Sequence, residues 1–257
     1  MKAEKRLLEN APEDRKLVVI IGENHGSQMH AFFQHGNIIA HADQQALKPH
    51  LRYAVGEEIP HTHLEKPGIF SRFNNIKARR AFLSYCRDEG ISVGFNDIAA
   101  RSGMTGHYID QRDAFTRAVV QKEKPDLEGK NILRSSRTKD AADGIALSNA
   151  AMVARSMDEI GKTGAKIYFV HCGIAHVMGH KKYGFSYEDS LTKRFMDKGC
   201  AVLPVFLGTR GKIPELPENA QEMMSRSIVV TGLSAETPFS RYGAVRRKVN
   251  RDSGFNL

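Results

Sequence analysis

The sequence predicts an α/β fold: a mainly parallel or mixed central sheet flanked by helices, with a site at the carboxyl edge of the strands. Short apolar, β-branched runs alternate along the chain with segments of helical period, the pattern of a sheet crossed by helices. Two of these runs also break into glycine and polar side chains able to do chemistry. Leu17-Val18-Val19-Ile20-Ile21 leads into Gly22-Glu23-Asn24-His25-Gly26, and Ile167-Tyr168-Phe169-Val170 leads into His171-Cys172-Gly173-Ile174-Ala175-His176. In open α/β sheets, ligands bind in the crevice outside the carboxyl ends of the strands. A packed strand end needs neither a carboxylate nor a histidine, so their recurrence there points to chemistry.

Residues 1–16 are charged and form an N-terminal arm. The run 17–21 has the length and branching of a buried strand. Residues 27–50 carry Gln, Ala, Phe and His at near-helical spacing. Tyr53-Ala54-Val55-Gly56 is a second strand ending on Glu57-Glu58. An amphipathic helix over 76–88 stops at Gly90, where a glycine C-cap is expected. Ile91-Ser92-Val93-Gly94-Phe95 is a third strand, and Asp97 follows it. Residues 98–107 are rich in glycine, serine and threonine and read as a loop, with a helix over 109–122. The stretch 123–144 is polar and without a period, long enough to predict a lid or mobile connection. A strong helix over 145–160 leads into the strand at 166–170, and a helix over 188–198 precedes the strand 201–207. Pro204 has no N–H to give a ladder, which predicts an edge or bulged strand. Ser227-Ile228-Val229-Val230 is one more candidate strand. The expected organisation is an arm (1–16), an α/β domain (17–210) and a C-terminal extension with a basic tail (211–257).

Composition narrows the function classes. Among 257 residues, 41% are apolar and 26% charged, an ordinary soluble balance. No stretch reaches the roughly 20 apolar residues of a membrane span, and the opening residues lack an apolar signal core. Three widely spaced cysteines, Cys86, Cys172 and Cys200, suit reduced thiols in a cytoplasmic protein better than a disulfide framework. The net charge of +9 permits contact with an anionic surface, and Arg241, Arg246, Arg247, Lys248 and Arg251 concentrate part of it in the tail. No basic stripe with interleaved aromatics is present, which argues against nucleic acid as a partner.

Glu23 and His25 stand two residues apart beyond a strand, where a carboxylate and an imidazole can together activate water or hold a divalent metal. The competing reading is a turn in which Glu23 caps the next helix. Glu57 and Glu58 add carboxylates at the same edge, and strand alternation sends only one of them toward a given face. His61-Thr62-His63 has the spacing of a ligand pair but lies in a proline-flanked loop. Gly173 allows a backbone to pass close by, and His176 follows one turn later, with His171 at the strand end. Cys172 between them raises a thiol nucleophile, set against the commoner outcome of a packed strand-end cysteine.

Taken in order, Gly22-Glu23-x-His25, Glu57-Glu58, Gly94-Phe95-Asn96-Asp97 and Gly173-x-x-His176 resemble the superfamily of Tiki/TraB, erythromycin-esterase-like and haem-binding lipoprotein domains, with relatives in bacterial toxins. Ser148-Asn149-Ala150-Ala151-Met152-Val153-Ala154 is similar to the family's R-N-x-x-M-A helix, with Ser148 standing where arginine is common. The resemblance covers roughly residues 17–207. It implies a hydrolase of amide or ester bonds acting on a small molecule or peptide. Glu23, His25, Glu57 and His176 form the expected site, and Glu58, Asp97, His171 and Asn149 are further candidates. With a metal, the first four residues would hold Mn²⁺, Co²⁺ or Zn²⁺; without one, His25 or His176 is the base and Glu23 or Glu57 orients it. The alternatives are a protein binding haem or another ligand through histidine, favoured by a count of eleven, and a toxin or effector domain.

Overall fold

A computed structural model describes residues 15–23, 53–57, 92–95, 100–103, 106–109, 114–130, 132–133, 139–207 and 215–230. The expected helices over 27–50 and 76–88, the His61–His63 loop, Cys86 and the basic tail lie outside these residues. The fold is α/β. Its main sheet is formed by β1 (Leu17–Glu23), β2 (Tyr53–Glu57), β3 (Ser92–Phe95), β7 (Ile167–Gly173), β8 (Ala201–Leu207) and β9 (Ile228–Val230). The strands lie in the order β3-β2-β7-β1-β8-β9, and every pairing is parallel. β3, β2, β7 and β1 lie side by side, and β9 carries the sheet into the C-terminal segment.

β7 and β1 are central and paired on both sides, so their two faces must both be covered. Val18, Ile20, Tyr168, Val170, Cys172 and Phe206 join one buried cluster with Met152, Val153, Val177, Leu191 and Phe195. Leu17, Val19, Ile21, Ile167, Phe169, His171, Leu203, Val205 and Leu207 alternate with them and are buried too, on the opposite face.

Five described helices accompany the sheet: α1 (Ala114–Glu123), α2 (Lys139–Thr163), α3 (Ile174–Met178), α4 (Leu191–Asp197) and α5 (Gln221–Met224). Residues 144–153 of α2 are buried without interruption, the mark of a helix enclosed on all sides. Met152 and Val153 join the sheet cluster, Leu147 and Ala151 pack on Val120 of α1, and Ile145 and Ala146 pack on Phe185. Small residues (Gly144, Ala146, Ser148, Ala150, Ala151) let those neighbours approach.

The middle of the chain departs from expectation. Residues 100–103 and 106–109 are strands β4 and β5 of an antiparallel hairpin, not a loop, and β6 (Ile132–Leu133) pairs with β5. Glycine, serine and threonine dilute the alternation that would have marked the hairpin. The helix expected from 109 begins at Ala114, because Ile109 is already committed to β5. Within the stretch 123–144 the described residues form a 3₁₀ turn at Pro125–Leu127, β6, and the first turn and a half of α2.

Pro204 is a second correction, since β8 is interior and pairs with both β1 and β9. The ladder accommodates it through register. The N–H of Ala201 bonds the Lys16 carbonyl, so Ala201, Leu203 and Val205 direct their amides toward β1 and Pro204 faces the other way. On that side β9 begins only at Ile228, opposite Val205. The missing N–H costs no ladder bond.

α3 follows β7 directly, with Gly173 as its N-cap, and folds back over β1. It can do so only because position 22 has no side chain. A Cβ on Gly22 would stand 2.3 Å from Val177 Cγ2 and 3.1 Å from the Ile174 backbone. Gly179 ends α3 at φ +88°, where a Cβ would also meet backbone at 2.8 Å. We expect Gly22→Ala to cost about 1–3 kcal/mol by overpacking. Adding Val177→Ala should recover part of that loss, because the two changes meet at one point. Urea unfolding of the two single variants and the double variant measures the coupling; simple additivity would contradict the contact.

Candidate functional site

Five described elements, β1, β2, β7, α3 and α2, carry candidate residues toward the carboxyl edge of the sheet. Glu57 ends β2 in register with His171, and Glu23 ends β1 in register with Gly173. Adjacent strands are about 4.8 Å apart, so the ends of β2, β7 and β1 make a compact shelf about 10 Å wide. Glu23 belongs to the strand itself, since β1 runs two residues beyond the apolar run. His171 lies two residues before the end of β7 and is buried. His25, Glu58 and Asp97 lie outside the described residues.

His176 is placed by α3 and held by α2. Its Nδ1 lies 2.6 Å from Asn149 Oδ1, and both residues are buried. The orientation of the Asn149 amide follows from its other contacts. Its Nδ2 donates to the Asp189 carbonyl at 3.0 Å and, more weakly, to the His176 carbonyl at 3.4 Å. Carbonyls only accept, so the NH₂ group faces them and Oδ1 faces the imidazole. Oδ1 cannot donate, so Nδ1 carries the proton. In the neutral ring the lone pair is then on Nε2.

A five-residue helix has almost no internal stability, because most of its terminal groups lack helical partners. Here the neighbours supply them. Asn149 takes the His176 carbonyl and Thr192 Oγ1 donates to the Val177 carbonyl at 2.6 Å. The backbone that carries His176 is therefore fixed from α2 and α4 together.

Cys172 alternates with His171 and points into the apolar cluster beside Val170 and Val177, 1% exposed. Among the described residues its neighbours are apolar, the setting of a packing residue. Cys200 is also a buried thiol, near Met157, and burial pushes its pKa up. The expectation that these cysteines are packing residues agrees with their burial.

The Asp189 carbonyl was not legible in the sequence as part of this arrangement. Asp189 sits in the turn before α4, where Ser190 caps the helix by accepting from the Lys193 N–H at 3.3 Å. Ser186 donates to Asp189 Oδ2 at 3.0 Å. The D-S pair ahead of an apolar helix signals a cap, and a cap turn presents its carbonyls in defined directions. Among the described residues no three His, Cys, Asp or Glu side chains gather as a metal cluster, and no helix is long and apolar enough to cross a membrane.

No family model matches the chain, and no curated protein matches it in sequence. Among solved structures, the type III effector HopBA1 is similar at 14% identity and a TM-score of 0.46, over 90% of this chain and 94% of that one.

Beyond α3 the chain forms a 3₁₀ turn, Lys181–Tyr183, opened by His180. The His180 ring leans on Tyr183 with centroids 4.3 Å apart, and its Nδ1 is buried without a hydrogen-bond partner among the described residues. Burial lowers its pKa, Lys182 lowers it further, and Glu215 partly opposes them.

Two outcomes are expected. Asn149→Ala removes the acceptor facing the buried His176 Nδ1–H and one donor to the Asp189 carbonyl, at a cost of about 1–3 kcal/mol in denaturant unfolding. A neutral result would mean that the amide is not the anchor described. For His180, a depressed folded pKa means that the unfolded chain binds its proton first. Its contribution to stability is therefore intact above about pH 6.5 and is lost as the pH falls below it. His180→Gln should flatten that part of the pH dependence of the urea midpoint; an unchanged slope would assign it elsewhere.

Proposed function

We propose that this protein is a hydrolase of amide or ester bonds in which His176 activates the attacking water. The observation that carries the reading is the Asn149–His176 pair at the carboxyl edge of the sheet. An asparagine whose oxygen faces Nδ1 fixes the ring in the tautomer that has its lone pair on Nε2. That is the protonation state a general base requires.

In the reaction, Nε2 removes a proton from water as the water oxygen bonds to the substrate carbonyl carbon. Asn149 Oδ1 stabilises the imidazolium through its bond to Nδ1–H, which strengthens as positive charge develops. The imidazolium then returns the proton from Nε2 to the leaving oxygen or nitrogen as the carbon–heteroatom bond breaks. His176 is only 6% exposed, so its bond to Asn149 acts at low dielectric, where it is stronger than in water. In this reading Glu57 and Glu23, the last residues of the flanking strands, would position the water or the substrate, with His25 as a companion.

A divalent metal fits this chemistry at one described donor. Metal-bound histidines commonly direct their second nitrogen to a hydrogen-bond acceptor, as His176 does. Glu23, His25, Glu57 and His176 would hold Mn²⁺, Co²⁺ or Zn²⁺, which would lower the pKa of a bound water.

The test is hydrolysis of a panel of activated esters and peptide amides, before and after chelation, with the metal content of the purified protein measured in parallel. His176→Ala and His25→Ala should each reduce the rate by about 10²–10⁴ while circular dichroism stays native. Cys172→Ala should retain near-native activity. Loss on chelation, restored by one of the three metals, would select the metal-dependent form. A rate abolished by Cys172→Ala but kept by both histidine variants would replace the water-activating site with a thiol nucleophile. A Soret band on adding haem, with no hydrolysis of any substrate, would replace it with ligand binding.

A further inference from the structure

The Asn149 amide faces His176 Nδ1 directly, so whatever holds the amide bears on the ring's tautomer. An amide is nearly symmetric in shape. Turned by 180°, Asn149 would present its NH₂ to Nδ1, and Nδ1 would have to accept. The ring proton would move to Nε2 and the lone pair would be lost from the nitrogen proposed to act as base. Packing alone discriminates weakly between the two orientations, because NH₂ and O are similar in size. The discrimination rests on Nδ2 finding an acceptor, and its shorter bond is to the Asp189 carbonyl at 3.0 Å.

That carbonyl is held in turn by Arg194, one turn into α4. Arg194 Nε donates to the Asp189 carbonyl at 3.2 Å and Nη2 donates to Asp189 Oδ1 at 3.0 Å, so one guanidinium grips both the main chain and the side chain of the same residue. Nη1 reaches Glu123 Oε2 at 3.1 Å on α1, which steadies the guanidinium from the far side. The Arg194 side chain is 17% exposed, much less than the 45% of Asp189. The planar fork explains why arginine serves here: a lysine could bond the carbonyl or the carboxylate, but not both in fixed directions.

We propose that Arg194 is a positioning residue for His176: by pinning the Asp189 carbonyl it locks the Asn149 amide in the orientation that keeps the imidazole proton on Nδ1. The connection runs from Arg194 through Asp189 and Asn149 to His176, and it joins α4, α2 and α3. Its importance for catalysis rests on the reading of His176 as the base, whereas the tautomer is a property of the free protein.

The experiment is therefore read on the tautomer. In full-length protein labelled with ¹⁵N-histidine, His176 is assigned by its absence in His176→Ala. At a pH where the ring is neutral, the wild type should show a protonated Nδ1 and an unprotonated Nε2. Arg194→Gln should lose that single signature and show a proton mainly on Nε2 or exchanging between the nitrogens. Glu123→Gln, which breaks the other ion pair of the same guanidinium, should keep the wild-type signature. If Arg194→Gln does not fold, Arg194→Lys carries the same expectation. An Nδ1–H tautomer that survives in the folded Arg194 variant overturns the proposal, as does an equal change in Glu123→Gln. If the tautomer shifts in Arg194→Gln while His176→Ala leaves hydrolysis intact, positioning by Arg194 stands and the assignment of His176 as base fails.

Discussion

The rest of this structure depends on the close approach of α3 to β1 at Gly22. A helix of five residues cannot sustain itself, and it contributes to a site only where neighbours hold it. The missing Cβ at position 22 lets Val177 and Ile174 settle on the strand, which places α3 over the carboxyl end of β1. From there its carbonyls come within reach of Asn149 and Thr192, and His176 within reach of the Asn149 oxygen. The glycine of the G-E-x-H motif therefore has a packing reason to be glycine. That reason lies in the other motif, G-x-x-H, about 150 residues away.

The residues that made the fold legible were those whose local pattern and tertiary setting agree. Leu17–Ile21, Tyr53–Gly56, Ser92–Phe95, Ile167–Val170 and Ala201–Leu207 are buried-strand patterns, and each became a strand of the parallel sheet. Legibility failed where composition masked the period. In 100–109, small residues hid a hairpin, and in 139–144 a polar first turn hid the start of α2. Pro204 misled for a different reason. The rule that removes proline from interior strands concerns the amide direction, and direction is a matter of register, which single-strand patterns do not contain.

The site was partly legible on the same grounds. The positions of Glu57 and Glu23 at strand ends, and of His176 three residues beyond one, could be read from apolar runs ending in polar residues, and Asn149 from its place on the helix before β7. Its contact with His176 and the direction of its amide are tertiary facts. The most informative group, the Asp189 carbonyl, is main chain and has no residue signature at all. Arg194 is equally silent, since an arginine on a helix next to acidic residues ordinarily suggests a solvated ion pair. Only the approach of its Nε to a carbonyl distinguishes it.

The strand order β3-β2-β7-β1-β8-β9 bears on how the chain can fold. β1 and β2 follow one another among the described strands but do not pair; β7 lies between them, pairing Leu17 and Tyr53 alike with Ile167. The first half of the protein cannot close its own sheet, and emerging from a ribosome it holds an apolar strand with no partner on either edge. Native pairing of β1 waits until about 150 further residues have been made, and the loop-closure entropy for such distant contacts is met late. During that interval Leu17–Ile21 is the kind of segment that chaperones bind and that aggregates form around. The layout of the finished edge and the vulnerability of the unfinished chain thus have one origin: the insertion of β7 into the middle of the sheet.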